Sequence, residues 1–369
     1  MPSASSSTPK DEPKTLFSER PEWADVQALE QYEISNPLAP IFYSEEYKDA
    51  TGYFRAIVKK GEMSERVMEL TEFIIRHNPA HYTVWQYRYK TLLALQSPLE
   101  AEIKLMDELA VKFLKTYQVW HHRRLLLLLQ RDSSNSFSAA AKELAFVAQS
   151  LKADEKNYHT WSHRQWVLSQ FDHEDLCASE LDFVDDMLNH DVRNNSAWHH
   201  RFFVVFQSGV REGEEDRARV VKRELTYTKQ NISLAPNNPS AWNYLRGVLD
   251  YSKMPYAQLT SFVNLYAVPT DSDVIDIVDL DNPPPSKDAQ LPCVAALEFL
   301  ADIYEKRGKD DEEYGTTAAV EVYFPSFLHF LESNELILSK QVWKSLAHEH
   351  DTIRQKYWEY RIREALVNA

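Results

Sequence analysis

The residues with the clearest chemical potential stand near the middle of the chain, in Asp154-Glu-Lys-Asn-Tyr-His-Thr-Trp161-Ser-His-Arg164. Lys156 directly precedes Asn157, and asparagine is a residue type that caps helix starts. A lysine beside the free N–H groups of a helix start is suited to bind a phosphate. A solvated turn lysine is the more common explanation of such a residue, because most lysines lie at protein surfaces.

Other reactive groups are not arranged as catalytic or metal sites. His121-His122 and His199-His200 are adjacent pairs, which point to different sides of a helix. His159 and His163 are four residues apart, but no third ligand follows at the spacing of a zinc enzyme. No Gly-x-Ser-x-Gly string or Cys/His nucleophile arrangement occurs. We therefore predict no metal site within this chain.

The central stretch is one copy of a unit that recurs along the chain and aligns on tryptophan. Four copies place an arginine three residues after the tryptophan: Trp85 and Arg88, Trp120 and Arg123, Trp161 and Arg164, Trp198 and Arg201. A fifth copy, at Trp242, has its arginine one residue later, at Arg246. The steps between tryptophans are 35, 41, 37 and 44 residues, which is the period of a helical solenoid.

Each motif opens a helix, because a turn containing Asn or Pro precedes most of the tryptophans. Tryptophan and the arginine three residues later are neighbours on one helical face. We expect the tryptophans to form the repeat core. We expect the arginines to be struts between repeats that pair with acids of the intervening helices, such as Asp107, Glu108, Asp185 and Asp186.

The fold class predicted is all-α, an α-α superhelix of helical hairpins resembling a TPR solenoid. A disordered tail is expected over residues 1–20 and a single helical-repeat domain over 21–369. The hairpins are predicted near 64–96, 99–132, 139–172, 174–209 and 215–253. An acidic, proline-rich loop is predicted over 269–290 and a helical cap over 291–369.

Composition narrows the class of function. The chain has 369 residues and a net charge of −15 without a basic run, which argues against nucleic-acid binding. Seven glycines and no Gly-rich phosphate loop argue against a Rossmann or P-loop nucleotide site. Two cysteines, no signal peptide and no long apolar run favour a cytoplasmic protein without a transmembrane segment.

These repeats resemble the protein prenyltransferase α-subunit family. The resemblance rests on the Tyr-x-x-Trp-x-x-Arg units and on four strings, Lys156-Asn-Tyr-His159, Asp191-Val-Arg-Asn-Asn-Ser-Ala-Trp198, Ser240-Ala-Trp-Asn-Tyr244 and Asp351-Thr-Ile-Arg354. It extends from about Phe42 to Tyr360 and is strongest to the α subunits shared by protein farnesyltransferase and type I protein geranylgeranyltransferase.

The resemblance implies a crescent of hairpins around a β subunit of farnesyltransferase or geranylgeranyltransferase I, in an obligate heterodimer. The partner would carry zinc, and Mg²⁺ would accompany the prenyl diphosphate. The reaction implied transfers a farnesyl or geranylgeranyl group to the cysteine of C-terminal CaaX sequences, such as those of Ras- and Rho-type GTPases.

The resemblance also assigns roles to individual residues. Lys156 would stabilise the charge on the leaving diphosphate, and the Tyr158 hydroxyl would donate to a phosphate oxygen. Gln118 would bind the terminal carboxylate of the acceptor peptide. His159 and Asn194 fall on motif positions that line the substrate groove.

Two alternatives remain at this stage. One is a TPR-like scaffold that binds peptides without catalysis, for which a fixed lysine at one helix start has no purpose. The other is the α subunit of Rab geranylgeranyltransferase, which shares the repeat architecture. The strings at Asp191–Trp198 and Asp351–Arg354 favour the CaaX-type subunit.

Overall fold

The computed structural model describes residues 15–31, 38, 41–131, 136–171, 174–207, 214–268, 279, 281–314 and 335–367. These residues form helices and turns without β-strands, which confirms the all-α prediction. They fall into two compact units, divided after Phe171. The first unit contains α1 (Glu45–Lys60), α2 (Glu65–His77), α3 (Tyr82–Leu95), α4 (Leu99–Lys112), α5 (Tyr117–Arg131), α6 (Ser136–Ala153) and α7 (Tyr158–Gln170).

The second unit continues the pattern and adds further helices. It contains α8 (Glu174–His190), α9 (Asn195–Phe202), α10 (Glu214–Leu234), α11 (Pro239–Ser252), α12 (Thr260–Ala267), α13 (Val294–Tyr314), α14 (Glu335–Ser345) and α15 (Gln355–Val367). A π-helical turn, Phe203–Gln207, extends α9. The second helix of every hairpin begins three residues before its tryptophan.

Each motif tryptophan fixes the turn that precedes its own helix. All five indoles are at most 5% exposed. Each indole N–H donates at 2.8 Å to the carbonyl six residues earlier, at Pro79, Leu114, Glu155, Val192 and Pro236. A buried indole therefore satisfies its polar atom and closes the turn in the same contact. The shape of this turn is the same in every repeat because the bond is the same.

A buried glutamate joins consecutive repeats. Arg88 on α3 donates from Nε and Nη2 to the two carboxylate oxygens of Glu102 on α4, both at 2.7 Å. His122 on α5 donates from Nε2 to the same carboxylate at 2.8 Å. The Arg88 and Glu102 side chains are each 4% exposed. A bidentate pair with a third donor is the arrangement that a buried carboxylate requires, because desolvation of an unpaired charge is costly.

The same three-residue arrangement recurs along the chain. It is found at Arg123–Glu143–His163 in the first unit and at Arg201–Glu224–Tyr244 in the second, with shortest bonds of 2.6 to 2.8 Å. In the second unit His200 also donates to Glu180 at 2.6 Å. In each of these hairpins the residue two positions after the tryptophan, a histidine or a tyrosine, thus donates a hydrogen bond to the buried glutamate of the same hairpin.

The glutamates were not the acids expected from the sequence. Asp107 and Asp185 do pair with Arg123 and Arg201, but through Nη1 and from half-exposed positions. Glu108 pairs with Arg76 instead. The bidentate partners Glu102, Glu143 and Glu224 each stand 18 residues before a tryptophan, and so does Glu180, which accepts from His200. A fixed spacing in the sequence therefore marks these buried glutamates.

The amino-terminal boundary needs correction. Phe17 is 1% exposed, and its ring meets that of Trp23 at 5.5 Å and that of Phe73 at 5.2 Å. Phe17, within the predicted tail, is therefore packed, because its ring buries apolar surface against Trp23 and Phe73. Residues 1–14 of that tail lie outside the described residues.

Part of the predicted acidic loop is anchored. Lys229 on α10 donates to the Asp281 carbonyl at 2.9 Å, and the Tyr266 hydroxyl donates to the Pro283 carbonyl at 2.7 Å. The Ser286 amide donates to the Ser233 carbonyl at 3.1 Å. Residues 281–286 thus pack on α10 and α12, whereas 269–278 and 280 lie outside the described residues, as do 315–334 of the predicted cap.

The first prediction concerns the buried glutamates. Glu102→Gln should lower the free energy of unfolding by about 3–5 kcal/mol, because Arg88 then keeps a buried charge without its carboxylate. Glu108→Gln on the same helix is the matched control, since Glu108 is 56% exposed in its pair with Arg76. The control should lose no more than about 1 kcal/mol. If chemical denaturation showed the same loss of unfolding free energy in both variants, the structural role assigned to the buried Glu102 would be contradicted.

The second prediction concerns pH. Burial raises the pKa of Glu102, but hydrogen bonds from His122 and Arg88 outweigh it and hold that pKa at about 2. The stability linked to Glu102 is therefore present above about pH 4.3 and lost as the pH falls toward 2. Burial lowers the pKa of His122 and of His163. Below about pH 6.5 these histidines are therefore protonated in the unfolded chain more readily than in the folded chain, and the free energy of unfolding decreases as the pH falls.

The midpoint of thermal unfolding should accordingly drop as the pH is lowered from 7 toward 2. In Glu102→Gln the part of the drop below about pH 4.5 should be shallower, because the titrating carboxyl is absent. Exposed Glu100→Gln on the same helix should keep the original slope. A midpoint independent of pH, or identical slopes in the two variants, would show that these groups are not linked to folding.

Candidate functional site

The turn before α7 presents Lys156 on a rigid backbone. Asn157 caps the helix, since its Oδ1 accepts the Thr160 amide at 3.0 Å. On the other side of Lys156, the Glu155 carbonyl accepts the Trp161 indole N–H at 2.8 Å. The Lys156 side chain itself is exposed. An ammonium group therefore stands at the positive end of a capped helix, where an anionic ligand is favoured.

Tyr158 and His159 form the first turn of α7. Tyr158 is 67% exposed, so its hydroxyl is open to a ligand. The His159 ring lies 4.3 Å from the ring of Tyr117 and 5.5 Å from that of Tyr158, edge-on in both cases. Burial lowers the pKa of His159, and the positive charges of Arg124 and Lys115 lower it further. His159 is therefore a neutral spacer between two tyrosines.

Gln118 lies on α5 beside this group. It follows Tyr117, whose ring touches His159, so the contact between α5 and α7 brings Gln118 to the same surface. The side chain is half-buried. Within the described residues its amide makes no hydrogen bond. An amide held at a surface without an internal partner can donate to a ligand carboxylate.

Asn194 occupies a different environment in the second unit. It is fully buried, and its Oδ1 accepts the amides of Ser196 and Ala197 at 3.0 and 3.2 Å. This is the N-cap of α9, the same role that Asn157 has for α7. In the structure Asn194 has a capping role. The contribution to the substrate groove that the family resemblance implies for Asn194 stays a prediction.

Three successive repeats carry a cation at the same position relative to the tryptophan, a regularity that was missed in the sequence. Five residues before their tryptophans stand Lys115, Lys156 and Arg193, in three successive repeats. All three side chains are exposed. Lys115 lies 3.5 Å from Asp154, which in turn accepts from Asn157 at 3.3 Å. The common register with tryptophan was the signal that identifies these cations as one structural position.

Several histidines have structural partners. His122, His163 and His200 each donate to a buried glutamate, which accounts for one member of each adjacent histidine pair. Within the part of the chain that the structure describes, no three His, Cys, Asp or Glu side chains converge as metal ligands. None of the helices described there has the length and apolar character that crossing a membrane requires.

Comparison with known proteins follows the same repeats. The family profile "Protein prenyltransferase alpha subunit repeat" matches residues 64–95, 99–130, 140–171, 177–208 and 221–252. The chain is 42% identical over 231 residues to the protein farnesyltransferase/geranylgeranyltransferase type-1 subunit alpha of Schizosaccharomyces pombe, covering 63% of this chain and 74% of that protein. It is 31% identical over 343 residues to the Candida albicans subunit of the same name, covering 92% and 96%.

A solved structure and a second class of relative refine this picture. The structure of Candida albicans protein geranylgeranyltransferase-I complexed with GGPP aligns with a TM-score of 0.73 and 29% identity, over 96% of this chain and all of that one. The mouse geranylgeranyl transferase type-2 subunit alpha is 35% identical over 136 residues, only 34% of this chain and 23% of that protein. With five repeats and relatives matched over most of their length, this chain belongs to the protein prenyltransferase α-subunit family.

Proposed function

We propose that this chain is the α subunit of a heterodimeric protein prenyltransferase of the farnesyltransferase and type I geranylgeranyltransferase class. Its reaction would transfer a farnesyl or geranylgeranyl group from the prenyl diphosphate to the cysteine of a C-terminal CaaX sequence. The observation that carries the proposal is the exposed Lys156 at the capped start of α7, in a chain that aligns with such subunits almost from end to end.

Lys156 and Tyr158 would act on the leaving group. As the bond between C1 and the diphosphate breaks, negative charge grows on the diphosphate oxygens. The Lys156 ammonium and the first N–H groups of α7 favour that charge, and the Tyr158 hydroxyl can donate to a phosphate oxygen. Since the turn is fixed by Asn157 and Trp161, little reorganisation accompanies the reaction.

Gln118 would orient the acceptor peptide. Its half-buried amide can donate to the terminal carboxylate, which would set the distance from the peptide end to the reacting cysteine. His159 would act indirectly, since its contacts with Tyr117 and Tyr158 hold the two tyrosine rings in place.

The metal would belong to the partner. We assign zinc to a β subunit of farnesyltransferase or geranylgeranyltransferase I, where it would keep the cysteine of the peptide as thiolate. Magnesium, if required, would accompany the diphosphate. Substrate proteins of the Ras and Rho type and a cytoplasmic location are parts of the same proposal.

Two other functions predict different behaviour. The type-2 α subunit would require an escort protein to present a Rab substrate, whereas the proposed enzyme modifies a short CaaX peptide directly. A non-catalytic scaffold would be monomeric and would add nothing to transfer. The short alignment with the type-2 subunit supports the CaaX-type assignment.

The third prediction is that co-expression with a β subunit yields a one-to-one complex that contains zinc and prenylates a CaaX peptide. The chain expressed alone should have neither zinc nor activity. The readouts are size by light scattering, metal content and transfer of a labelled prenyl group. A monomeric chain that leaves the activity of the β subunit unchanged would favour the scaffold.

The fourth prediction concerns Lys156 in that complex. Lys156→Ala should lower turnover by about 10- to 1000-fold, the range for loss of one group that stabilises transition-state charge. Lys152→Ala is the matched control, because Lys152 is also exposed and lies in the last turn of α6. Both variants should assemble normally. If Lys156→Ala turned over as fast as the wild-type complex, Lys156 would have no role in stabilising the leaving diphosphate.

A further inference from the structure

Arg124 differs from the other arginines of the hairpin helices described above. Arg88, Arg123 and Arg201 each have a buried glutamate as bidentate partner. Arg124, on α5, donates from Nε to Nδ1 of His163 at 3.4 Å and from Nη2 to Oγ of Ser162 at 3.3 Å. Its guanidinium lies 5.3 Å from the centre of the Trp166 ring. No carboxylate of the described residues lies within ion-pair distance of it.

The His163 contact shows that this orientation is specified. His163 donates from Nε2 to Glu143, so its Nδ1 is an acceptor and can receive the Arg124 N–H. Ser162 and Trp166, on the same helix, hold the rest of the guanidinium. Three side chains of α7 therefore position Arg124, and none of them neutralises it.

A cation in this position favours an anion. Arg124 is half-buried, and burial lowers its pKa. A guanidinium that has lost part of its hydration without gaining a counter-ion is destabilised, and an oxyanion would relieve that cost. Its Nη1 makes no hydrogen bond within the described residues and is not enclosed by protein, so one edge of the fork is open.

The location coincides with the candidate site. Arg124 shares α5 with Tyr117 and Gln118, and its contacts on α7 begin one turn after Tyr158 and His159. Its charge acts on both Tyr158 and His159. The proposed diphosphate residue Lys156 precedes the same helix.

We propose that Arg124 is a further substrate-binding residue, whose guanidinium pairs with an oxyanion of a substrate. This inference rests on the proposed function. Two substrates carry such a group, the prenyl diphosphate and the acceptor peptide with its terminal carboxylate. Carboxylate and phosphate both accept parallel N–H bonds from the planar fork of arginine, whereas lysine offers only a point charge.

The test uses the complex with its β subunit and compares Arg124→Gln and Arg124→Lys with wild type. Arg131→Gln is the matched control, because Arg131 lies on the same helix and donates to Gln170 of α7 at 3.1 Å. The measured quantities are kcat, the KM for prenyl diphosphate, and the KM for a peptide with a free or an amidated terminus. The inhibition constant of inorganic pyrophosphate and the midpoint of thermal unfolding are measured as well.

Arg124→Gln should raise the KM for one substrate by about 10- to 100-fold, the value of one hydrogen bond to a charged group. A parallel rise in the inhibition constant of pyrophosphate assigns the oxyanion to the diphosphate. A rise confined to the free-terminus peptide assigns it to the carboxylate. Arg124→Lys should recover only part of the affinity, and Arg131→Gln should match wild type.

Unchanged KM values for both substrates in Arg124→Gln would overturn the proposal. So would a lower thermal midpoint and lower kcat with both KM values intact, since that pattern describes a structural arginine. If Arg124→Gln does not assemble, Arg124→Lys, which retains the charge, provides the test: the KM for one substrate should rise by less than in Arg124→Gln, and unchanged KM values for both substrates would overturn the proposal. Failure of the proposed function is a separate result, because the wild-type complex would then transfer no prenyl group.

Discussion

The buried glutamate between consecutive repeats is the interaction on which the hairpins depend. At Glu102 and Glu143 one carboxylate accepts two bonds from the arginine of the preceding repeat and one from the imidazole of its own repeat. Three donors satisfy a carboxylate that is almost completely desolvated. Because both charges would be costly alone, the packing of one hairpin on the next has one favourable register.

That register determines the surface where ligands can bind. With each second helix fixed by its arginine and its imidazole, the turn before it is fixed by the bond from the indole to the carbonyl six residues earlier. Tyr158 on one repeat and Tyr117 on the preceding repeat both contact His159 for this reason. Lys156 and Gln118 lie close to these two tyrosines in the sequence.

The candidate site supplies positive charge, hydroxyl and amide groups, whereas the buried carboxylates Glu102, Glu143 and Glu224 are structural partners of arginine. This distribution suits a subunit that holds an anionic substrate while another subunit supplies the metal. A net charge of −15 does not conflict with it, because the acidic residues that define the repeats are internal or paired, and the cations near α7 act over short distances. The positions of individual charged side chains, and not the net charge of the chain, decide which ligands such a surface binds.

The sequence by itself determined the all-α class, the repeat period and the start of each second helix, because helix caps and tryptophan spacing are local and periodic signals. It also placed Lys156 at a helix start. Only the tertiary structure decided that Glu102 pairs with Arg88, that Asn194 is a buried cap and that Phe17 is packed. These outcomes depend on side chains from different helices that meet only after the hairpins stack. Arg124 shows the same limit, since only the structure reveals that its contacts among the described residues are His163, Ser162 and Trp166 and include no carboxylate.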